Sequence, residues 1–157
     1  MQGGTRLRVM TSTSSRILAP TITTPDTQRA ITFLGADTAG GFAVLDTEGR
    51  RGHGFPMHVH RNASEVFLVL SGTLRVVVDG QAHEAGEGSA AVLPAGLPHG
   101  FVIISPTARY LTLHHGPTFE QFVAAAAGEG DDIPNPARLA AIAADHGIDI
   151  IGPRLLP

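Results

Sequence analysis

Short apolar runs recur along the chain at intervals of about ten residues, separated by Gly, Pro and Asp. This spacing is typical of an all-β barrel or sandwich, whereas βαβ units would alternate strands with longer helical patterns. Apolar runs such as Val66–Leu70 are far shorter than the ~20 residues that a membrane-spanning helix needs. We therefore predict a strand-rich protein with no membrane partner. Strands are expected near residues 17–22, 30–35, 41–46, 55–60, 65–71, 73–79, 88–93, 99–104 and 109–115.

One strand connection is marked by a strong turn signal. The pair Asp79-Gly80 separates Arg75–Val78 from Gln81–Glu84, and both turn residues tolerate a positive φ angle. We predict a two-residue hairpin here.

The pattern changes after Gly116. Residues 117–127 contain no internal turn signal and are expected to form a helix with Pro117 in its first turn. A second helix is expected after Asn135, which can cap it, and should end at Gly147. The predicted organisation is a flexible arm over 1–15, one β-barrel domain over 16–116, and a helical extension packed on the barrel over 117–157.

The chemistry available to the chain is narrow. All 11 basic residues are Arg, and Cys is absent. Lysine Schiff bases, thiolate nucleophiles, disulfides and Cys-rich zinc sites are thereby excluded. The net charge is −3 and the arginines are scattered, which gives no electrostatic support for nucleic-acid binding. The first twenty residues lack the apolar centre of a secretory signal, so we expect a cytoplasmic protein. With 8 His, chemistry is expected to use imidazoles and a few carboxylates.

Three histidines and one glutamate stand out by their spacing. His58 and His60 lie two apart in an extended segment and should share one face of a strand. Glu65 begins the next apolar strand, and His99 opens a later one after a Pro/Gly turn. Three imidazoles and a carboxylate from neighbouring strands predict a site for a divalent transition metal, with positions left for water or substrate.

The alternative for any single histidine is an ordinary packing or surface role. His53 lies in a Gly-flanked loop and could line a pocket mouth, while His114 and His115 point to opposite faces of one strand, so at most one faces inward. His83 and His146 are expected to be structural or solvated. Aromatic residues could be core or could hold a planar substrate. The candidates for a substrate pocket are His53, Phe55, Phe67, Phe101 and His114.

The spacing of these residues resembles the two short motifs of the cupin superfamily. The second motif departs from the usual pattern at Ile103, where an Asn that is not a metal ligand is common. The resemblance implies a double-stranded β-helix, or jelly-roll barrel, with two short C-terminal helices and with metal on His58, His60, Glu65 and His99. The first motif is Gly52, His58, His60, Glu65 and Gly72, and the second is Gly88, Pro94, Gly96 and His99.

Together with the C-terminal tail, the single domain looks like small bacterial cupins of the quercetin dioxygenase-like type. That resemblance implies one divalent metal per chain, Ni, Fe, Mn, Co, Cu or Zn, and cleavage of a flavonol or similar planar phenol with O2. Glu65 would be both a metal ligand and the catalytic base that takes the substrate's hydroxyl proton. Two alternatives stay open on the same fold: a non-redox isomerase, cyclase or dehydratase, and a metal-stabilised binding module without turnover. A homodimer is expected, because two short helices cannot cover both sheet faces.

Overall fold

The structure is a computed structural model that describes residues 41–116, 118–126 and 135–157. The predicted arm over 1–15 and the predicted strands near 17–22 and 30–35 lie outside the described residues. Within the described part, nine strands and two helices follow in this order: β1 (Phe42–Arg50), β2 (Gly54–His60), β3 (Glu65–Ser71), β4 (Thr73–Val78), β5 (Gln81–Gly86), β6 (Ala90–Leu93), β7 (His99–Ile103), β8 (Thr107–His115), α1 (Thr118–Ala126), α2 (Pro136–Asp145) and β9 (Ile148–Ile150).

The strands form two sheets that enclose one core. One sheet has the order β1-β8-β3-β6 and the other β5-β4-β7-β2-β9. Phe67 and Val69 from the first sheet pack with Leu74, Val76 and other buried residues of the second. The prediction of an all-β, double-stranded β-helix with two short helices is confirmed.

Alternation along the strands decides what enters the interior. On β3, Glu65, Phe67 and Val69 are buried while the residues between them are only half-buried. A strand reverses its side chains at every residue, so the apolar residues that fill the core place Glu65 on the same inner face. The sequence of β3 thus directs a carboxylate into the barrel.

The predicted hairpin is confirmed. Asp79 and Gly80 have φ angles of 47° and 77°, and β4 pairs with β5 from Val78↔Gln81 onward. Positive φ at both central residues produces a turn whose twist matches that of the flanking strands.

The predicted helix cap is also confirmed. The side chain of Asn135 accepts a hydrogen bond of 2.9 Å from the backbone N–H of Arg138, and Pro136 occupies the first turn of α2. This arrangement satisfies one of the free N–H groups at the start of the helix. No helix in the described residues is long and apolar enough to span a membrane.

A short strand that the sequence analysis did not predict joins the helices to the barrel. β9 pairs antiparallel with β2, placing Ile150 opposite His58 and Ile148 opposite His60. Ile148 also packs with Phe122 of α1 and Ala143 of α2 in a second, smaller core. β2 is therefore an internal strand, flanked by β7 and β9.

Candidate metal centre

Both sheets contribute side chains to one polar cluster inside the barrel. His58 and His60 lie at the end of β2, and His99 opens β7 directly opposite His58. Glu65 opens β3 in the facing sheet. The two sheets therefore carry the candidate ligands of both sequence motifs to the same end of the barrel.

A β-bulge sets the direction of the first histidine. Phe55 pairs with Phe101 and His58 with His99, so β2 has one residue more than β7 between these pairs. Pro56 lies in this irregular stretch, where a missing backbone N–H is tolerated. Without the bulge, residues 55 and 58 would point to opposite faces. With it, the Phe55 ring contacts the His58 ring edge-on at a centroid distance of 4.8 Å.

The four candidate ligands lie close enough to share one ion. One ligand atom from each of His58, His60, Glu65 and His99 lies within 4.8 Å of all the others. Nε2 of His58 is 3.1 Å from Nε2 of His60, and Nε2 of His99 is 3.1 Å from Oε2 of Glu65. All four residues are at most 3% exposed.

Backbone carbonyls determine which ring nitrogen two of the histidines present. Nδ1–H of His58 donates to the Pro56 carbonyl at 2.8 Å, and Nδ1–H of His99 donates to the Leu97 carbonyl at 2.7 Å. In the neutral rings, Nε2 therefore carries a lone pair that points into the cluster. Such outer hydrogen bonds are the usual support of metal-binding histidines.

This donor set fits a divalent transition metal. A neutral His99 offers a lone pair toward Glu65, which is itself an acceptor when ionised. Two buried acceptors that face each other require a proton or a cation between them. Imidazole and carboxylate together suit Fe, Mn, Co, Ni, Cu and Zn, and do not distinguish among them.

The titration of the buried groups is consistent with this fit. Burial, followed by the nearby His99, lowers the pKa of His58 from 6.5 to about 3, so its ring is neutral at physiological pH. Burial alone would raise the pKa of Glu65, but His114, His60 and His99 outweigh it and hold this pKa well below its usual range. Neutral imidazole and ionised carboxylate are the forms that bind metal.

The structure separates the five candidate pocket residues. His114 lies beside the cluster, with Nε2 3.2 Å from Oε1 of Glu65, and Phe55 contacts His58. Phe67 and Phe101 pack against each other at 4.7 Å in the main core, one inward position further along their strands. His53 precedes β2 and is not a member of the group of candidate ligand atoms. Its ring packs beside Gly49, where an added Cβ atom would lie 3.2 Å from Cδ2 of His53.

Two aromatic residues near the cluster were missed by the sequence analysis. Phe119 of α1 lies 6.2 Å from the ring of His60, and Phe122 lies 5.9 Å from Phe55. Their spacing of three places both on one face of the helix, which is a usable signal for a face that packs on the barrel. The sequence does not show that this face packs over His60 and His114, because that contact depends on how α1 packs on the barrel.

Comparison with known families and proteins agrees with this geometry. Residues 50–114 match the family model described as "Cupin domain". Over 78 residues the chain is 35% identical to quercetin 2,3-dioxygenase of Bacillus subtilis (strain 168). This match covers 50% of the chain and 23% of the relative, so the chain spans about a quarter of the relative's length.

Solved structures share the fold at low sequence identity. KdgF from Halomonas sp. is 23% identical with a TM-score of 0.52, covering 59% of this chain and 82% of that one. An uncharacterised Klebsiella pneumoniae protein with a double-stranded β-helix domain is 17% identical with a TM-score of 0.53, covering 66% and 92%. These similarities support the fold.

Proposed function

We propose that the chain is a metal-dependent dioxygenase that cleaves a flavonol or a related planar phenol, with residues 50–114, which match the model described as "Cupin domain", as its metal-binding barrel. O2 is the oxidant, and both of its atoms enter the ring-opened product. The observation that carries the proposal is the convergence of three imidazole nitrogens and one carboxylate oxygen inside the barrel.

The residues that would hold the metal are His58, His60, Glu65 and His99. A bound divalent ion supplies a Lewis-acid site and a route for electrons between substrate and O2. The similarity to a quercetin 2,3-dioxygenase favours this chemistry over other reactions of the fold.

Glu65 is the residue proposed to move a proton. Its low pKa keeps the carboxylate ionised, and Oε2 lies among the imidazole nitrogens where a substrate hydroxyl would approach. It would accept that proton as a general base. No other Asp or Glu of the described residues belongs to the cluster.

The barrel interior would exclude water from the reaction. Phe55 contacts the candidate ligand His58, and the apolar core that holds Phe67 and Phe101 lies one inward position beyond the candidate ligands. An apolar environment strengthens the electrostatic interactions of the ionised site and suits a flat aromatic substrate.

The test uses the chain stripped of metal with a chelator and reloaded separately with Ni(II), Co(II), Mn(II) or Fe(II). Each form is mixed with quercetin in air and under nitrogen, while flavonol absorbance and O2 concentration are followed. We expect at least one metal form to bleach the flavonol with stoichiometric O2 uptake, and none to do so under nitrogen. Turnover of a substrate without O2 would instead assign a non-redox reaction, and binding without turnover a binding module.

A substitution separates the role of Glu65 as base from its role as ligand. Glu65→Gln should lose turnover by a larger factor than it loses metal, because the amide oxygen can still coordinate but the side chain no longer accepts a proton. His83→Gln is the matched control, since His83 is exposed on β5. Equal losses of metal and turnover in Glu65→Gln would assign Glu65 a ligand role alone.

A further inference from the structure

His114 lies inside the barrel but outside the group of four candidate ligands. It is on β8, directly opposite Glu65 of β3 in the strand register, and it is 1% exposed. Its Nε2 lies 3.2 Å from Oε1 of Glu65. In the described part of the chain neither ring nitrogen makes a hydrogen bond: Nε2 is within reach of Oε1 of Glu65, but the two groups are not aligned as donor and acceptor. The Glu65 carboxylate is thus the group to which this buried ring could donate a hydrogen bond.

A second contact fixes the plane of the His114 ring. Phe119 of α1 stacks on it with a centroid distance of 3.5 Å and an interplanar angle of 5°. Because the two rings are almost parallel, a rotation of the imidazole about its χ2 angle would drive it into Phe119. The stack therefore holds the plane of the ring, in which Nε2 lies 3.2 Å from Oε1 of Glu65.

The two oxygens of Glu65 face different partners. Oε2 lies 3.1 Å from Nε2 of His99 and 3.3 Å from Nε2 of His60, whereas Oε1 lies beside His114. His114 does not belong to the group of ligand atoms that lie within 4.8 Å of one another. Its position is that of a residue that supports a ligand.

We propose that His114 is a positioning residue: it donates a hydrogen bond from Nε2–H to Oε1 of Glu65 and so keeps Oε2 directed at the metal. This inference rests on the proposed function, since it assumes that Glu65 binds metal. The proposal also gives α1 a role at the site, because Phe119 fixes the plane of the His114 ring, which in turn positions Glu65.

The test compares variants of the full chain by metal affinity and by the absorption spectrum of the Co(II) form. His114→Phe keeps the ring but removes the donor. His114→Gln can place an amide N–H near the position of Nε2. His115→Phe changes the exposed neighbour on the opposite face of β8 and is the matched control.

We expect His114→Phe to bind Co(II) about 10- to 100-fold more weakly, the range typical when the partner of a metal ligand is lost. Its Co(II) ligand-field bands should shift, because the carboxylate is free to turn. His114→Gln should recover most of the affinity and the original spectrum, and His115→Phe should match the unsubstituted protein. Unchanged affinity and spectrum in His114→Phe would overturn the proposal.

A second pair of variants tests the role of His114 if the first variant does not fold. If circular dichroism shows that His114→Phe does not fold, His114→Gln is compared with His114→Asn, whose shorter amide cannot reach Oε1. Tighter Co(II) binding by the Gln variant supports the proposal, and equal binding overturns it.

Complete loss of metal in both amide variants would make His114 a ligand and overturn the positioning role. Failure of the unsubstituted protein to bind any metal would overturn the metal centre itself. Normal metal binding by the unsubstituted protein, with no effect of the His114 substitutions, would overturn this inference alone.

Discussion

At the scale of single residues, two backbone carbonyls orient two of the candidate ligands. Pro56 and Leu97 accept the Nδ1 protons of His58 and His99, which leaves each Nε2 free for the metal. His58→Ala and His99→Ala should each lower metal affinity by more than about 100-fold, beyond the loss typical of a residue that only supports a ligand. Elemental analysis after dialysis measures this, with the exposed His83→Ala as control. Full metal content in both ligand variants would place the metal elsewhere.

Protonation of the same side chains predicts the response to acid. The pKa of His58 is about 3 in the folded protein and 6.5 in the unfolded chain, so below pH 6.5 the unfolded chain binds more protons than the folded protein. The free energy of unfolding should therefore fall as pH falls from about 6.5 toward 3. Each pKa unit is worth about 1.4 kcal/mol, so the loss is on the order of a few kcal/mol.

Urea unfolding of the metal-free protein between pH 7.5 and pH 4.5 checks this expectation. Glu65, whose pKa is lowered, adds to the loss at the acidic end. Bound metal should be released over the same range, because protons compete for the imidazoles. A midpoint that does not depend on pH would contradict the burial of His58 as a neutral ring.

The candidate ligands were predictable because their spacing is local. His58 and His60 share a face through the period of one strand, and Glu65 follows from the apolar pattern of β3. The contact between His114 and Glu65 was not predictable, since it depends on the register of two strands 49 residues apart in the chain. The stack of Phe119 on His114 depends further on where α1 packs.

At the scale of elements, close backbone packing holds β2 against β7. A Cβ atom at Gly54 would collide with the carbonyl oxygen of Phe101, while nothing lies within 4 Å of a Cβ at Gly86. Gly54→Ala should therefore destabilise the protein by about 3 kcal/mol or more, because the two strands must move apart. Gly86→Ala, also within a strand, should stay within about 0.5 kcal/mol.

Thermal unfolding of the two glycine variants is the measurement. Gly54→Ala should also bind metal more weakly, because β2 carries His58 and His60 while β7 carries His99. Equal melting temperatures for Gly54→Ala and Gly86→Ala would show that the strands are not in this close contact.

Strands β1 to β4 and β6 to β8 lie where strands were predicted, and β5 follows from the predicted hairpin, but β9 and the bulge in β2 do not appear in the sequence pattern. Ile148–Ile150 is only three residues long and follows directly on α2, so neither its length nor its flanks mark a strand. It forms because β2 offers a free edge there. The bulge has only Pro56 as a local sign.

At the scale of the whole molecule, the four-stranded sheet has an apolar outer face. Val66, Leu68 and Leu70 alternate outward on β3, and Val92 of the neighbouring β6 is 65% exposed. We propose that this face pairs two copies of the chain, since burial of such a patch is favourable. Light scattering at micromolar concentration should give twice the monomer mass.

A charge on the exposed edge strand of this face should separate the copies. Val92→Arg is expected to give the monomer mass, whereas His83→Arg, on the exposed β5 of the other sheet, should leave the dimer intact. A monomeric mass for the unsubstituted protein would refute the proposal.

The position of β9 also orders the events by which the protein is made. His58 and His60 are synthesised early, but the strand that carries them gains its second neighbour only when residues 148–150 have emerged from the ribosome. Until then its outer edge has free N–H and C=O groups, which is the form of a strand most prone to pair with other chains. A chain truncated before residue 148 should therefore expose this edge of β2, the strand that carries His58 and His60.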